Sequence, residues 1–142
     1  MERQLPLCGR KSLNPVVDLK KEMSQAAKRC NLSRAEIVDR MNEHISVEKI
    51  RTRGKDGQVT EDMLNKWLAP EAPDVIATKL LCIFCKVTNS IGPLQALALP
   101  LHAAVIGPAE IVLLEMARAQ VTEREASSRK RRLAEQYREM TK

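Results

Sequence analysis

The strongest constraint on what this chain can fold into is a pair of capped helix starts bracketing residues 32–67. The first reads Leu32-Ser33-Arg34-Ala35-Glu36-Ile37. Ser33 followed three residues later by Glu36 is a capping box, in which hydroxyl and carboxylate each satisfy a backbone N–H that the first helical turn leaves orphaned. The second reads Val59-Thr60-Glu61-Asp62-Met63-Leu64-Asn65-Lys66-Trp67. Thr60 suits the N-cap, and two acids follow in the first turn, where the helix dipole favours negative charge. Behind the first cap Ile37, Val38, Met41 and Ile45 share one face; behind the second Val59, Met63 and Trp67 do so, with Leu64 and Leu68 beside them. Two short amphipathic helices in succession, flanked by more of the same, outline a helix-turn-helix.

The core available to such helices is aliphatic, because apolar residues make up 44% of the chain and aromatics only 2%. At 142 residues there is enough chain for one domain and an appendage. No run of about 18 apolar residues occurs, so no membrane span is expected. The N-terminal Met-Glu-Arg-Gln lacks the apolar centre of a signal peptide, and the four cysteines are unevenly spaced. A reduced, cytoplasmic protein is the expectation. The net charge of +6 sits at the two ends: residues 1–30 carry seven basic and three acidic groups, residues 31–70 seven of each, and residues 108–142 eight and six. A moderate basic balance is compatible with nucleic acid, but the excess does not lie on the two capped helices.

In chain order, residues 1–15 contain Pro6, Gly9, Pro15 and the cations Arg10 and Lys11, and read as a flexible arm, either frayed or laid along phosphates. A first helix is expected over about Val16 to Arg29, burying Leu19, Met23, Ala26 or Ala27, and Cys30. The second should run from about Arg34 to Ile45 and the third from about Glu61 to Ala69, before Pro70. Between them the sequence has an anomaly. A helix-turn-helix joins its helices with a turn of three or four residues, whereas residues 46–59 make a connection of 14. Val47 and Ile50 are placed to pin its first half, and Gly54-Lys55-Asp56-Gly57 reads as a turn. Lys49, Arg51, Arg53 and Lys55 put four cations beside the start of the third helix, as a solvated loop or as a basic finger gripping the DNA backbone.

A fourth, strongly apolar helix is expected from about Asp74 to Thr88, and a short fifth helix from Pro93 to Pro100. Leu101 to Ile106 suits a brief strand or an extended linker within 100–107. Pro108, at a position suited to a first helical turn, opens a last helix of more than 30 residues with no breaker before Thr141. Along it Val112, Met116, Ala119, Glu123, Ala126, Lys130, Leu133, Tyr137 and Met140 follow alternating four-three spacing. Two charges and two alanines make this a poor zipper, though Ile111, Leu113 and Leu114 widen the apolar face near its start. A solvated tail and a dimerisation helix over residues 109–121, through Val112, Met116 and Ala119, are the two readings.

The order of these elements resembles the lambda-repressor-like family of helix-turn-helix proteins, and in detail the small regulatory proteins of Mu-like transposable prophages. The resemblance covers about residues 16–99 and rests on Leu32-Ser33, Glu36-Ile37, Val59-Thr60, Leu64, Trp67 and the helix around Leu80 to Val87. These are cap and core positions, which speak for fold more than for function. The resemblance implies an all-α domain of five helices whose third lies in the major groove. On this sequence the implied base contacts are Thr60, Glu61, Asp62, Asn65 and Lys66, with Asn65 suited to adenine and Lys66 to guanine or a phosphate. Glu61, Asp62 and the long connection depart from the pattern, since carboxylates repel phosphates unless cations compensate.

Cys82-Ile83-Phe84-Cys85 has the spacing of half a zinc site, but the other candidate ligands, Cys8, Cys30, His44 and His102, are scattered, and the pair falls in an apolar helix. Both thiols are therefore expected to be buried structural residues. No phosphate-binding glycine loop, H-E-x-x-H motif or serine nucleophile elbow occurs. The expectation is thus no catalytic residue, no metal and no cofactor. Double-stranded DNA and a second copy of the chain are the expected partners. A phage or host protein partner is the rival.

Overall fold

The computed structural model describes residues 12–142. Most of the expected N-terminal arm, including Arg10 and Lys11, and Cys8 with it, lies outside the described residues. The chain divides into two units, one ending at Val105 and one running from Ile106 to Lys142. Among the described residues there are six α-helices and no strand: α1 (Val16–Arg29), α2 (Arg34–Glu48), α3 (Glu61–Leu68), α4 (Thr78–Thr88), α5 (Gly92–Ala98) and α6 (Pro108–Met140). Among the described residues no helix is long and apolar enough to cross a membrane.

In the first unit α1 packs along α5 and α2 along α4, while α3 sits against both α1 and α2. The core between them is aliphatic, with Met23, Ile37, Met41, Leu64 and Phe84 all but fully enclosed. Both expected caps form. Ser33 Oγ accepts from the Glu36 N–H at 3.2 Å while Glu36 Oε2 accepts from the Ser33 N–H at 2.7 Å. These bonds, the backbone one first, hold the Glu36 carboxyl below its usual range. Thr60 Oγ1 accepts from the Met63 N–H at 3.3 Å and starts α3.

Four boundaries differ from the sequence reading. The second helix continues past Ile45 to Glu48 and stops where Lys49 enters the left-handed region. That extension carries Val47 round to the solvent side, two residues on from buried Ile45, so Val47 stands 77% exposed and pins nothing; Ile50 packs on the core in its place. The fourth helix starts at Thr78 and not at Asp74, because Asp74 to Ala77 are not helical, with Ile76 buried as an anchor and Ala77 extended. The fifth helix continues as a 3₁₀ turn over Leu99–Leu101. Residues 103–107 form no strand but an irregular linker, which Gln95 ties back by donating to the Val105 carbonyl at 3.1 Å.

The second unit is α6, 33 residues long, or about 50 Å at 1.5 Å per residue. In the single chain every residue of α6 is exposed, its apolar start included, with Leu113 at 63% and Met116 at 56%.

Candidate functional site

One contact fixes where α3 ends. In an α-helix the Lys66 carbonyl would accept from the N–H four residues on, but that residue is Pro70, which has none. The Lys20 ammonium, on the core face of α1 and 2% exposed, takes the vacant place. It donates to the carbonyls of Lys66 at 3.0 Å, Ala69 at 2.9 Å and Ala72 at 2.6 Å. A cation at a helix C-terminus also complements the dipole. Sequence reasoning passed over Lys20, although its place beside Leu19 and three before Met23 puts it on the buried face.

A second contact fixes where α3 begins. The Asn42 amide donates to the Val59 carbonyl at 2.9 Å and accepts from the Val59 N–H at 2.8 Å. This two-point clamp holds the residue before the Thr60 cap against α2, with the Val59 side chain buried beneath. The connection from Lys49 to Thr60 is thereby tied at its far end, and it is tied in the middle as well. Lys79, at the start of α4, donates to the Arg51 carbonyl. Gly54 packs so closely under the 3₁₀ turn Lys55–Gly57 that a Cβ there would come 1.8 Å from the Gln58 carbonyl oxygen.

Held at both ends, α3 buries Leu64, Trp67 and Leu68 and turns its other face outward. Thr60, Glu61, Asp62, Asn65 and Lys66 are all exposed there. The side chains of four of these five, all but Glu61, already have a partner among the described residues. Asp62 pairs with Lys66 at 2.9 Å, which raises the Lys66 ammonium above its ordinary value. Arg34, from the first turn of α2, donates to Asn65 Oδ1. That oxygen keeps a second lone pair and the amide keeps its donors, so adenine recognition stays open to Asn65. Arg34 is a cation beside the α3 face that no sequence signal singled out; only the packing of α2 on α3 brings it there.

The four cations of the connection are exposed but do not form one cluster. Arg53 lines a groove shared with Met63, Lys66, Trp67 and Lys79, whereas Lys49 and Arg51 border a hollow against α2 with Asn42 and Asp56. Val112, Met116 and Ala119 are exposed on α6, in the second unit.

The cysteine pair in α4 is split, contrary to the expectation that both thiols are buried. Cys85 is buried, and desolvation there, with Cys82 nearby, pushes its thiol up to about 11. Cys82, three residues earlier and so about 60° round the helix, is exposed. His44 and His102 stand apart from both, on α2 and at the end of the 3₁₀ turn after α5.

No family model, curated protein or solved structure matches this chain.

Proposed function

We propose that this chain is a sequence-specific DNA-binding transcriptional regulator built on a lambda-repressor-like helix-turn-helix, acting by occupancy of an operator as a dimer and without chemistry. The observation that carries the reading is the pair of anchors on α3. Asn42 fixes its start and Lys20 its end, so that Thr60, Glu61, Asp62, Asn65 and Lys66 face outward together from a rigid support. Arg34, Arg53 and Lys79 flank that face and offset its two acids. On this reading α3 enters the major groove, Asn65 and Lys66 read bases, and Lys49, Arg51, Arg53 and Lys55 hold phosphates. A role in prophage or mobile-element genes rests on the sequence resemblance alone.

The test is binding to random and host-element DNA fragments at two salt concentrations. The expected result is a steep fall with salt and one fragment well above the others. Replacing Asn65 and Lys66 with alanine should then remove that preference, at about 1–3 kcal/mol per good base contact. Absence of binding at low salt overturns the reading.

A second reading is a protein-interaction adaptor that keeps the helix-turn-helix as a scaffold. It is favoured by the internal pairing of Asp62, Asn65 and Lys66, which leaves the α3 face close to neutral, and by the exposed apolar side chains at the start of α6.

A further inference from the structure

We infer that α6 is an antiparallel dimerisation rod: two copies of residues 108–140 pair side by side in opposite directions, centred near Arg124. The inference deepens the dimer named above and rests on that reading for its purpose, though not for its geometry.

A helix of 33 residues with every side chain exposed, and Ile111 to Leu114 forming an apolar stretch near one end, lacks the cover that such a stretch takes in a stable protein. The four-three seam through Val112, Met116 and Ala119, which would cover Val112 and the edge of Leu113, carries a glutamate, Glu123, and a lysine, Lys130, seven residues apart on one face. These two charges decide the direction. In a parallel, in-register dimer each seam residue meets its own copy. Glu123 would face Glu123 and Lys130 would face Lys130, giving two like-charge layers at the interface. Sliding one helix by a heptad would bring Glu123 opposite Lys130, but only by breaking the equivalence of the two copies that a closed two-fold dimer requires.

The antiparallel arrangement removes both conflicts. With Glu123 level with Ala126 of the second copy, Lys130 falls level with its Ala119, so each charged side chain lies over a small one. Lys130 of the second copy is then four residues along from its Ala126, about 6 Å from the level of Glu123 and within reach of an ion pair. The two-fold repeats that pair. Outward from the centre, Met116 meets Leu133, then Val112 meets Tyr137, apolar on apolar in each layer. At the flanking positions Thr122 meets Arg129 and Glu115 meets Gln136, so no like charges are brought together. The centre of this register, between residues 124 and 125, coincides with the midpoint of α6, and the helices overlap over nearly their whole length. Within the single chain neither Glu123 nor Lys130 has an ion-pair partner among the described residues.

The consequence for the proposed regulator is geometric. The two Gly107–Pro108 junctions stand at opposite ends of the rod, about 50 Å apart, beyond the roughly 34 Å between adjacent half-sites.

Sedimentation of the full chain without DNA tests the pairing, which should appear as a concentration-dependent dimer. Glu123→Lys sets two lysine layers against each other in the antiparallel rod and should weaken self-association by about tenfold or more. Adding Lys130→Glu should restore it. In a parallel dimer the single reversal only exchanges one like-charge pair for another, so unchanged self-association in Glu123→Lys overturns the proposal. Direction is read independently by mixing Met116→Cys and Leu133→Cys chains under oxidation and mapping the linked peptides by mass. A disulfide between positions 116 and 133 is expected; links joining each position to itself, or a chain that stays monomeric, overturn it. A monomer that still binds one DNA fragment selectively would separate this failure from failure of the regulator reading.

Discussion

Replacing Lys20 by methionine keeps the length and apolar body of the side chain and removes only its ammonium. The three carbonyls that converge on it, from Lys66, Ala69 and Ala72, then lose a charged donor. Hydrogen bonds to a charged group contribute about 1.5–3 kcal/mol each, and a buried acceptor left unsatisfied costs about 1–3 kcal/mol. Against this stands the desolvation of the ammonium itself, which the mutant no longer bears. The Ala69 carbonyl also keeps a turn bond from the Ala72 N–H at 3.3 Å, while the Lys66 carbonyl has Pro70 where its helical donor should be. The net expectation is a loss of about 2–4 kcal/mol. Each kcal/mol corresponds to about 4–8 °C in the melting temperature of a domain of this size. The assay is urea unfolding followed by fluorescence of Trp67, the single tryptophan of the chain, which is buried on α3 one residue after the carbonyl in question. If Lys20→Met unfolds within about 0.5 kcal/mol of the parent, the usual span for surface substitutions, the ammonium does not end α3 and the reasoning fails.

Other outcomes follow from the same framework. Asn42→Ala removes both bonds to Val59 and should cost about 1–3 kcal/mol by denaturant titration; amide exchange should also quicken over residues 54–60, and unchanged exchange there would show that the clamp is not what holds the connection. Gly54→Ala forces a Cβ into the Gln58 carbonyl and should cost about 1–3 kcal/mol, read as a lowered urea midpoint with the α6 helical signal retained. Glu36, whose carboxyl the Ser33 N–H holds below the ordinary glutamate range, stabilises the fold above that ordinary range; the gain is lost as pH falls through the lowered value. Glu36→Gln should therefore flatten the acid limb of a stability-against-pH curve below about 4.5, and an unchanged limb would remove the capping box from the account.

What the sequence disclosed and what it hid divide along a physical line. Caps are local chemistry: Ser33 with Glu36 and Thr60 with its following acids act within one helical turn, and both form where the sequence places them. The aliphatic faces are periodic and place Ile37, Met41, Leu64 and Trp67 in the core. The contacts that orient α3 are of another kind. Lys20 reaches carbonyls 46 to 52 residues away, Asn42 reaches Val59, and Arg34 reaches Asn65 across 31 positions. No spacing rule links such pairs, because they depend on how α1 and α2 cross α3. The late start of α4 has a similar cause, since Ile76 is buried in the non-helical segment that leads from Pro73 into Thr78. Composition alone reads an apolar helix as enclosed all round, whereas Cys82 lies on the solvent side of α4 and only Cys85 is buried.

The connection between α2 and α3 shows how these layers bear on function. A free loop of this length that gripped phosphates would first have to be ordered, at a cost of about 0.5–1.5 kcal/mol for each long side chain immobilised, plus its backbone. Here the backbone is already fixed at three points: by the Asn42 clamp on Val59, by the bond from Lys79 to the Arg51 carbonyl, and by the close approach of Gly54 to Gln58. Only the side chains of Lys49, Arg51, Arg53 and Lys55 remain to be immobilised by a ligand. On the proposed reading, then, Asn42→Ala should weaken DNA binding although Asn42 touches no DNA, by releasing a backbone that was ordered in advance. The effect should be a uniform loss across sequences with the salt slope preserved, because the same cations still meet the same phosphates. A change in sequence preference without a change in overall affinity would instead mean that the clamp acts by aiming α3, and that the connection carries no part of the binding.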